Sequence, residues 1–246
     1  MSTSIFDKIA LIGIGLIGSS IALAAKQRGL ARTISIATRK SETLEKARQL
    51  GIGDEYTLDP AEAVEGADAV FLCTPVGAFG KVAEQIAPAL KHRAIVTDVG
   101  SVKASVVRQV KPHLPEDAIL IAGHPIAGTE NSGPEAGFPT LFENRWCILT
   151  PEEDAPEEAL SRLKEFWEKC GSSVELMTPE HHDMVLAMTS HIPHLIAYNI
   201  VGTADDLESV THSEVIKFSA GGFRDFTRIA ASDPEMWRDV FLHNRE

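Results

Sequence analysis

Gly13-Ile14-Gly15-Leu16-Ile17-Gly18 follows the apolar stretch Lys8–Ile12 at once and leads straight into Ser19–Arg28, whose small and apolar residues stop at Gly29. Strand, glycine turn and helix in immediate succession leave few folds open. Gly13 permits a tight turn, Gly15 lets backbone approach a pyrophosphate, and Gly18 allows close packing of helix on strand. The start of the helix offers N–H donors and a favourable dipole to phosphate oxygens. A glycine-rich turn that binds no nucleotide is the competing reading. The flanking strand and helix, with a second strand about 20 residues on, favour a dinucleotide.

The rest of the chain continues that alternation. Strands are expected at Thr33–Thr38, Ala69–Cys73, Ala94–Asp98, Ala118–Ala122, Trp146–Leu149 and Val174–Met177. Helices are expected at Ser41–Leu50, Phe79–Leu90, from about Lys103, and at Glu157–Lys169. Alternating strands and helices imply parallel βαβ units with right-handed crossovers, hence an α/β fold with a Rossmann-type doubly wound parallel sheet. From Pro179 strand signals vanish and the pattern turns helical. The expected organisation is a dinucleotide-binding domain at 1–178 and an all-α substrate and dimerisation domain at 179–246.

The carboxyl end of the second strand matters for cofactor choice. An acidic residue there binds the ribose 2′-hydroxyl of NAD. This chain has Thr38, then Arg39 and Lys40. Thr38 does not repel a 2′-phosphate and Arg39 has the donors to pair with it, so NADP is expected to be accepted, and preferred over NAD. Alternatively Arg39 and Lys40 are a solvated basic pair. The candidate cofactor contacts are Gly13, Gly15, Leu16, Ile17, Gly18, Thr38, Arg39, Thr74 and Pro75.

Charge and cysteine content narrow the partners. Among 246 residues, 23 are Lys or Arg and 35 are Asp or Glu, a formal net charge of −12. That argues against non-specific binding to nucleic acid or an anionic membrane. No apolar run of the ~20 residues a membrane span needs is apparent. Cys73, Cys147 and Cys170 are far apart without metal-ligand spacing. They are expected to be free thiols in a reducing compartment, with the cytoplasm as the location. No metal site is expected.

Ligands in open α/β sheets sit at strand carboxyl ends. One such loop is Asp98-Val99-Gly100-Ser101-Val102-Lys103; another is Gly123-His124-Pro125-Ile126-Ala127-Gly128-Thr129-Glu130. His124, in a Gly/Pro-rich loop, has an unperturbed pKa suited to proton transfer. Ser101 has a hydroxyl for the reacting group or for the imidazole. The helical part holds Ser190-His191-Ile192-Pro193-His194 and Gly221-Gly222-Phe223-Arg224-Asp225-Phe226-Thr227-Arg228. The two histidines, three apart, lie on one helix face that Pro193 kinks. Arg228 carries a planar donor fork suited to a carboxylate; pairing of Arg224 or Arg228 with Asp225 or Asp233 is the alternative.

GIGLIGSS, DVGSVK, HPIAGTE, SHIPH and GGFRDFTRIAASDPEMWRD together resemble the prephenate/arogenate (cyclohexadienyl) dehydrogenases, in order from residue 13 to residue 239. The resemblance implies hydride transfer from a ring carbon to nicotinamide with loss of the ring carboxylate. It yields 4-hydroxyphenylpyruvate from prephenate, or tyrosine from arogenate. It makes His124 the acceptor of the hydroxyl proton and Ser101 its hydrogen-bonding partner. Arg228 would bind the ring carboxylate, and Ser190, His191 and His194 would line the pocket. Thr129, Glu130 and Trp237 would support it, and a homodimer is implied. Two features depart from the family pattern. Gly123 stands where Ser is common, and the chain stops at Glu246 where relatives continue, so a shortened helical region is expected. Another dehydrogenase pairing a Rossmann domain with a helical one, or a nucleotide-sensing protein without turnover, are the alternatives.

Overall fold

The computed structural model describes residues 4–129, 131–211, 217–218 and 220–245. Its sheet runs β1 (Phe6–Ile12), β2 (Ala31–Ala37), β3 (Glu55–Thr57), β4 (Ala69–Leu72), β5 (Ile95–Asp98), β6 (Ile119–Pro125), β7 (Trp146–Pro151) and β8 (Ser173–Leu176). The spatial order is β3-β2-β1-β4-β5-β6-β7-β8. The order reverses beside β1, which opens a crevice at the carboxyl ends of β1 and β4. Helices α1 (Leu16–Arg28), α2 (Ser41–Gln49), α3 (Pro60–Val64), α4 (Phe79–Ile86), α5 (Ala104–Val110) and α6 (Glu157–Lys169) cover the two faces.

The central strands are apolar throughout because both faces are covered: every residue of β4, β5 and β6 is buried. One face packs Phe6, Phe71, Phe142, Phe166 and Trp167 under α1 and α6. Phe71 lies 5.1 Å from Phe166, and Phe142 meets Trp167 edge-on at 5.2 Å, tilted or edge geometries that add to area burial. The other face holds Phe79, Val96, Val106 and Leu120.

Three differences from the expected pattern have simple causes. Strand β3 and helix α3 are too short, at three and five residues, to show a period. The Asp59 side chain caps α3 by accepting from Ala61 N. Strand β7 runs antiparallel to β6, pairing His124 with Ile148. Among the described residues of the link between them there is no crossover helix, only the short turn Pro134–Ala136, and the chain doubles back.

Beyond β8 the chain is helical: α7 (Pro179–Leu186), a wide π turn (Ala187–His191), α8 (Ile192–Thr211), α9 (Gly221–Thr227) and α10 (Pro234–His243). Helix α10 returns to the sheet and places Trp237 and Val240 in its second core. Pro179–Leu207 is long and apolar enough to cross a membrane by length and composition alone, which corrects the expectation above. Scattered polar residues such as Ser190, His191 and His194 hide it from a search for an unbroken apolar run. Ile192, Leu195, Ile196, Val201 and Leu207 are exposed along α8.

Candidate active site

The glycine turn has the geometry a dinucleotide needs. Gly13 has φ +101°, and a Cβ there would lie 2.7 Å from the Cys73 carbonyl oxygen. A Cβ on Gly18 would lie 2.4 Å from the Gly13 carbonyl oxygen. Gly15 instead faces open space, with no atom within 4 Å of where its Cβ would stand. No side chain caps α1 there, so the N–H groups of its first turn, including Leu16 and Ile17, are left for an anion. Across the crevice, Thr74 Oγ1 is buried without a hydrogen-bond partner among the described residues, next to exposed Pro75. Thr38 is half-buried after β2; Arg39 and Lys40 are exposed and make no ion pair among the described residues. These residues fit a nicotinamide dinucleotide.

On the same edge, β5 and β6 end in a buried charge clamp. Lys103 and Asp98 are fully buried and paired. Lys103 Nζ also donates to the Gly123 carbonyl at 2.5 Å, and Gly123 N–H donates to Asp98 Oδ1 at 3.1 Å. Burial pushes the Asp98 carboxyl up and the Lys103 ammonium down, and each partner's charge opposes the shift of the other. The clamp holds both backbone groups of the residue before His124. A Cβ on Gly123 would sit only 3.1 Å from the Asp98 carbonyl oxygen and 3.2 Å from Leu149 Cδ2 and Thr97 Oγ1. That crowding explains glycine at this position.

His124 belongs to β6 itself rather than to the loop after it, and is 8% exposed. Burial pushes its pKa well below the ordinary value, with His182, Lys103 and His191 adding to the effect. Its Nδ1 lies 2.9 Å from Nε2 of His182 on α7. His182 Nδ1 in turn lies 2.8 Å from Asp183 Oδ1. Asp183 also accepts from the Lys103 and Ala104 backbone N–H groups at 2.7 and 2.9 Å. Burial alone would raise the Asp183 pKa, but His182 and those two N–H groups hold it below the usual carboxylate range.

The network continues through the helical region. Asn244 Nδ2 donates to the Asp183 carbonyl and faces His191 Nδ1, each at 2.9 Å. His191 ends the π turn, a distortion frequent at functional sites. Its pKa is pushed down to about 4, chiefly by burial. The Ser101 carbonyl faces this ring and opposes the shift, although no hydrogen bond of good geometry reaches His191 Nε2. His194 stacks on Trp237 at 3.6 Å and donates from Nδ1 to the Ser190 carbonyl at 2.8 Å. His191 meets the edge of the same Trp237 at 6.2 Å. The two histidines therefore share a face, and Trp237 packs against it.

Other candidates are less engaged. Ser101 is half-buried and makes no side-chain hydrogen bond to His124 among the described residues; His182 occupies Nδ1 instead. Arg228 is exposed on the turn after α9, and neither it nor Arg224 pairs with Asp225 or Asp233. Thr129 is exposed and accepts from Asn131 N at 3.2 Å. Glu130 lies outside the described residues. His182, Asp183 and Asn244 were not among the sequence candidates; a histidine followed by an aspartate, four residues after the Thr178 cap of α7, is the one local signal for the first two, and Asn244 had none. Cys73, Cys147 and Cys170 are free thiols.

Comparison with known proteins adds to this geometry. Residues 21–176 match a family model described as prephenate dehydrogenase, nucleotide-binding domain, and residues 178–246 match prephenate dehydrogenase, dimerization domain. The chain is 46% identical over 241 residues to the cyclohexadienyl dehydrogenase of Zymomonas mobilis, covering 98% of this chain and 82% of that one. It is 38% identical to the prephenate dehydrogenase of Bacillus subtilis, covering 98% of this chain and 65% of that one. The solved prephenate dehydrogenase from A. aeolicus, in complex with hydroxyphenyl propionate and NAD+, superposes with a TM-score of 0.89 at 37% identity. That match covers 100% of this chain and 84% of the other.

Proposed function

The chain belongs to the prephenate dehydrogenase family, and on that premise we propose that it oxidises and decarboxylates prephenate, accepting arogenate as well, with a nicotinamide dinucleotide. The observation that carries the reading is His124. It is buried at the carboxyl end of β6, on the edge that bears the glycine turn, and linked by hydrogen bond to the helical region. Bound nicotinamide supplies the acceptor for a hydride.

The chain's own residues do the rest. His124, neutral at physiological pH because burial depresses its pKa, takes the ring hydroxyl proton at Nε2 as hydride leaves the same carbon. Loss of the ring carboxylate as CO₂ then drives electrons to the ring oxygen, and His124 returns the proton to it. No net proton is consumed. Ser101, whose Oγ is not committed to His124, orients the hydroxyl. Arg228, without an ion pair among the described residues, binds the ring carboxylate bidentately, and Ser190, His191, His194, Thr129 and Glu130 complete the pocket with Trp237 behind. Orientation of this kind lowers a barrier by up to the order of 7–11 kcal/mol.

Arg39 and Lys40, exposed without carboxylate partners among the described residues, favour NADP as accepted and preferred. The exposed apolar face of α8, with Phe223 of α9 beside it, is covered by a second copy in a homodimer. The division is placed at 178/179, between a dinucleotide-binding domain that also carries Ser101 and His124 and a helical region that adds substrate and dimer contacts; the cytoplasm is the proposed location.

Nicotinamide reduction measured with prephenate and arogenate, each with NAD and NADP, tests the reading. Turnover is expected with prephenate and NADP at least. Cofactor binding with no turnover in any combination contradicts it.

A further inference from the structure

We propose that His182 and Asp183 fix the tautomer of His124, with His182 acting as a positioning residue that accepts the Nδ1 proton and leaves Nε2 bare. The inference rests on the reaction proposed above for His124.

The proton assignment follows from donors that have no choice. Backbone N–H groups only donate, and two of them, from Lys103 and Ala104, point at the two oxygens of Asp183. Asp183 is thereby held as an acceptor. Its contact with His182 Nδ1 then requires the proton on that nitrogen. A neutral His182 with Nδ1–H presents a lone pair at Nε2. The 2.9 Å contact to His124 therefore requires a proton on His124 Nδ1. Neutral His124 has only one ring proton, so its Nε2 is an acceptor. Both rings are buried, and burial disfavours the charged form of each. The other titratable groups that bear on His124 and His182 are Lys103, Asp98 and His191.

The same chain serves the charged state. When His124 takes a proton at Nε2, its Nδ1–H stays directed at His182, with the Asp183 carboxylate behind. No proton needs to pass along the chain; the carboxylate orients one ring through the other. Asp183 is in turn tied to the start of α5, so sheet and helical region share one hydrogen-bonded unit.

Two measurements test this. The first needs no turnover: long-range ¹H–¹⁵N correlation spectra of histidine-labelled protein without cofactor, with His124 identified by its loss in His124→Asn. Protonated Nδ1 and bare Nε2 are expected; the opposite tautomer overturns the proposal. The second is kinetic. His182→Leu should lower kcat roughly 10²–10⁴-fold, the scale of general-base catalysis, with KM for substrate within about twofold. His182→Gln, whose amide oxygen reaches the same place as an acceptor, should recover most of that loss. Wild-type kcat in His182→Leu, or a Gln variant as impaired as the Leu variant, overturns it. Absence of turnover in the wild-type chain would instead remove the reaction assigned to His124, and the tautomer spectrum would still decide the proton assignment.

Discussion

Lys103 Nζ donates to the Gly123 carbonyl while Asp98 Oδ1 accepts from Gly123 N–H, so one buried pair grips both backbone groups of the residue before His124. Asp98 and Lys103 are five residues apart in DVGSVK, and Gly123 is twenty residues beyond Lys103. Removing one partner of a buried pair leaves the other without compensation. Lys103→Met should cost about 3–5 kcal/mol in urea denaturation. The double variant Asp98→Asn/Lys103→Met should lose less than the sum of its singles. Additive losses would mean that the two groups do not act as a unit.

Gly123 offers a second test of the same region. Thr97 Oγ1 is buried without a partner among the described residues, 3.2 Å from where a Cβ on Gly123 would stand. Gly123→Ser brings a hydroxyl to that orphan, and its hydrogen bond should offset the tight Cβ contacts. Gly123→Val brings only bulk and should lose about 1–3 kcal/mol by overpacking. Thermal unfolding should rank Ser well above Val; equal losses would refute the pairing with Thr97.

Acid stability should follow the buried histidines. The pKa of His191 falls from 6.5 unfolded to about 4 folded, and those of His124, His182 and His194 are also lowered. Below pH 6.5 the unfolded chain therefore binds protons that the folded chain refuses. Stability is fully present above about pH 6.5 and is lost as pH falls through about 4. His191→Gln should flatten this limb in a series of melting curves, and an unchanged slope would remove His191 from the balance.

Cofactor choice is expected to depend on Arg39. Loss of its charge-assisted contact to a 2′-phosphate is worth about ten- to a hundredfold in affinity. Arg39→Ala should raise the KM for NADP by that order and leave that for NAD near its starting value. Strong preference for NAD in the wild type, untouched by the substitution, would contradict the assignment.

The sequence disclosed those features that are local. The glycine turn, the helix Glu157–Lys169 and the strand ends bearing DVGSVK and HPIAGTE were all readable from spacing and residue type. The features it hid depend on approach over long separations. His182 meets His124 across 58 positions, and Asn244 meets Asp183 across 61, so no window along the chain contains either pair. Lys103 was hidden for a different reason: lysine is almost never fully buried unless paired, and its partner's burial is a property of the sheet. The reversed direction of β7 depends on an absent crossover helix, which residue patterns show only weakly.

The central claim is that His124 is the proton acceptor in a nicotinamide-dependent oxidation. Its most direct test is kcat for His124→Asn beside the wild type, with cofactor affinity measured on the same samples. A fall in kcat of roughly 10²–10⁴-fold, with cofactor binding within about twofold, is the predicted result. Turnover at the wild-type rate in His124→Asn would contradict it.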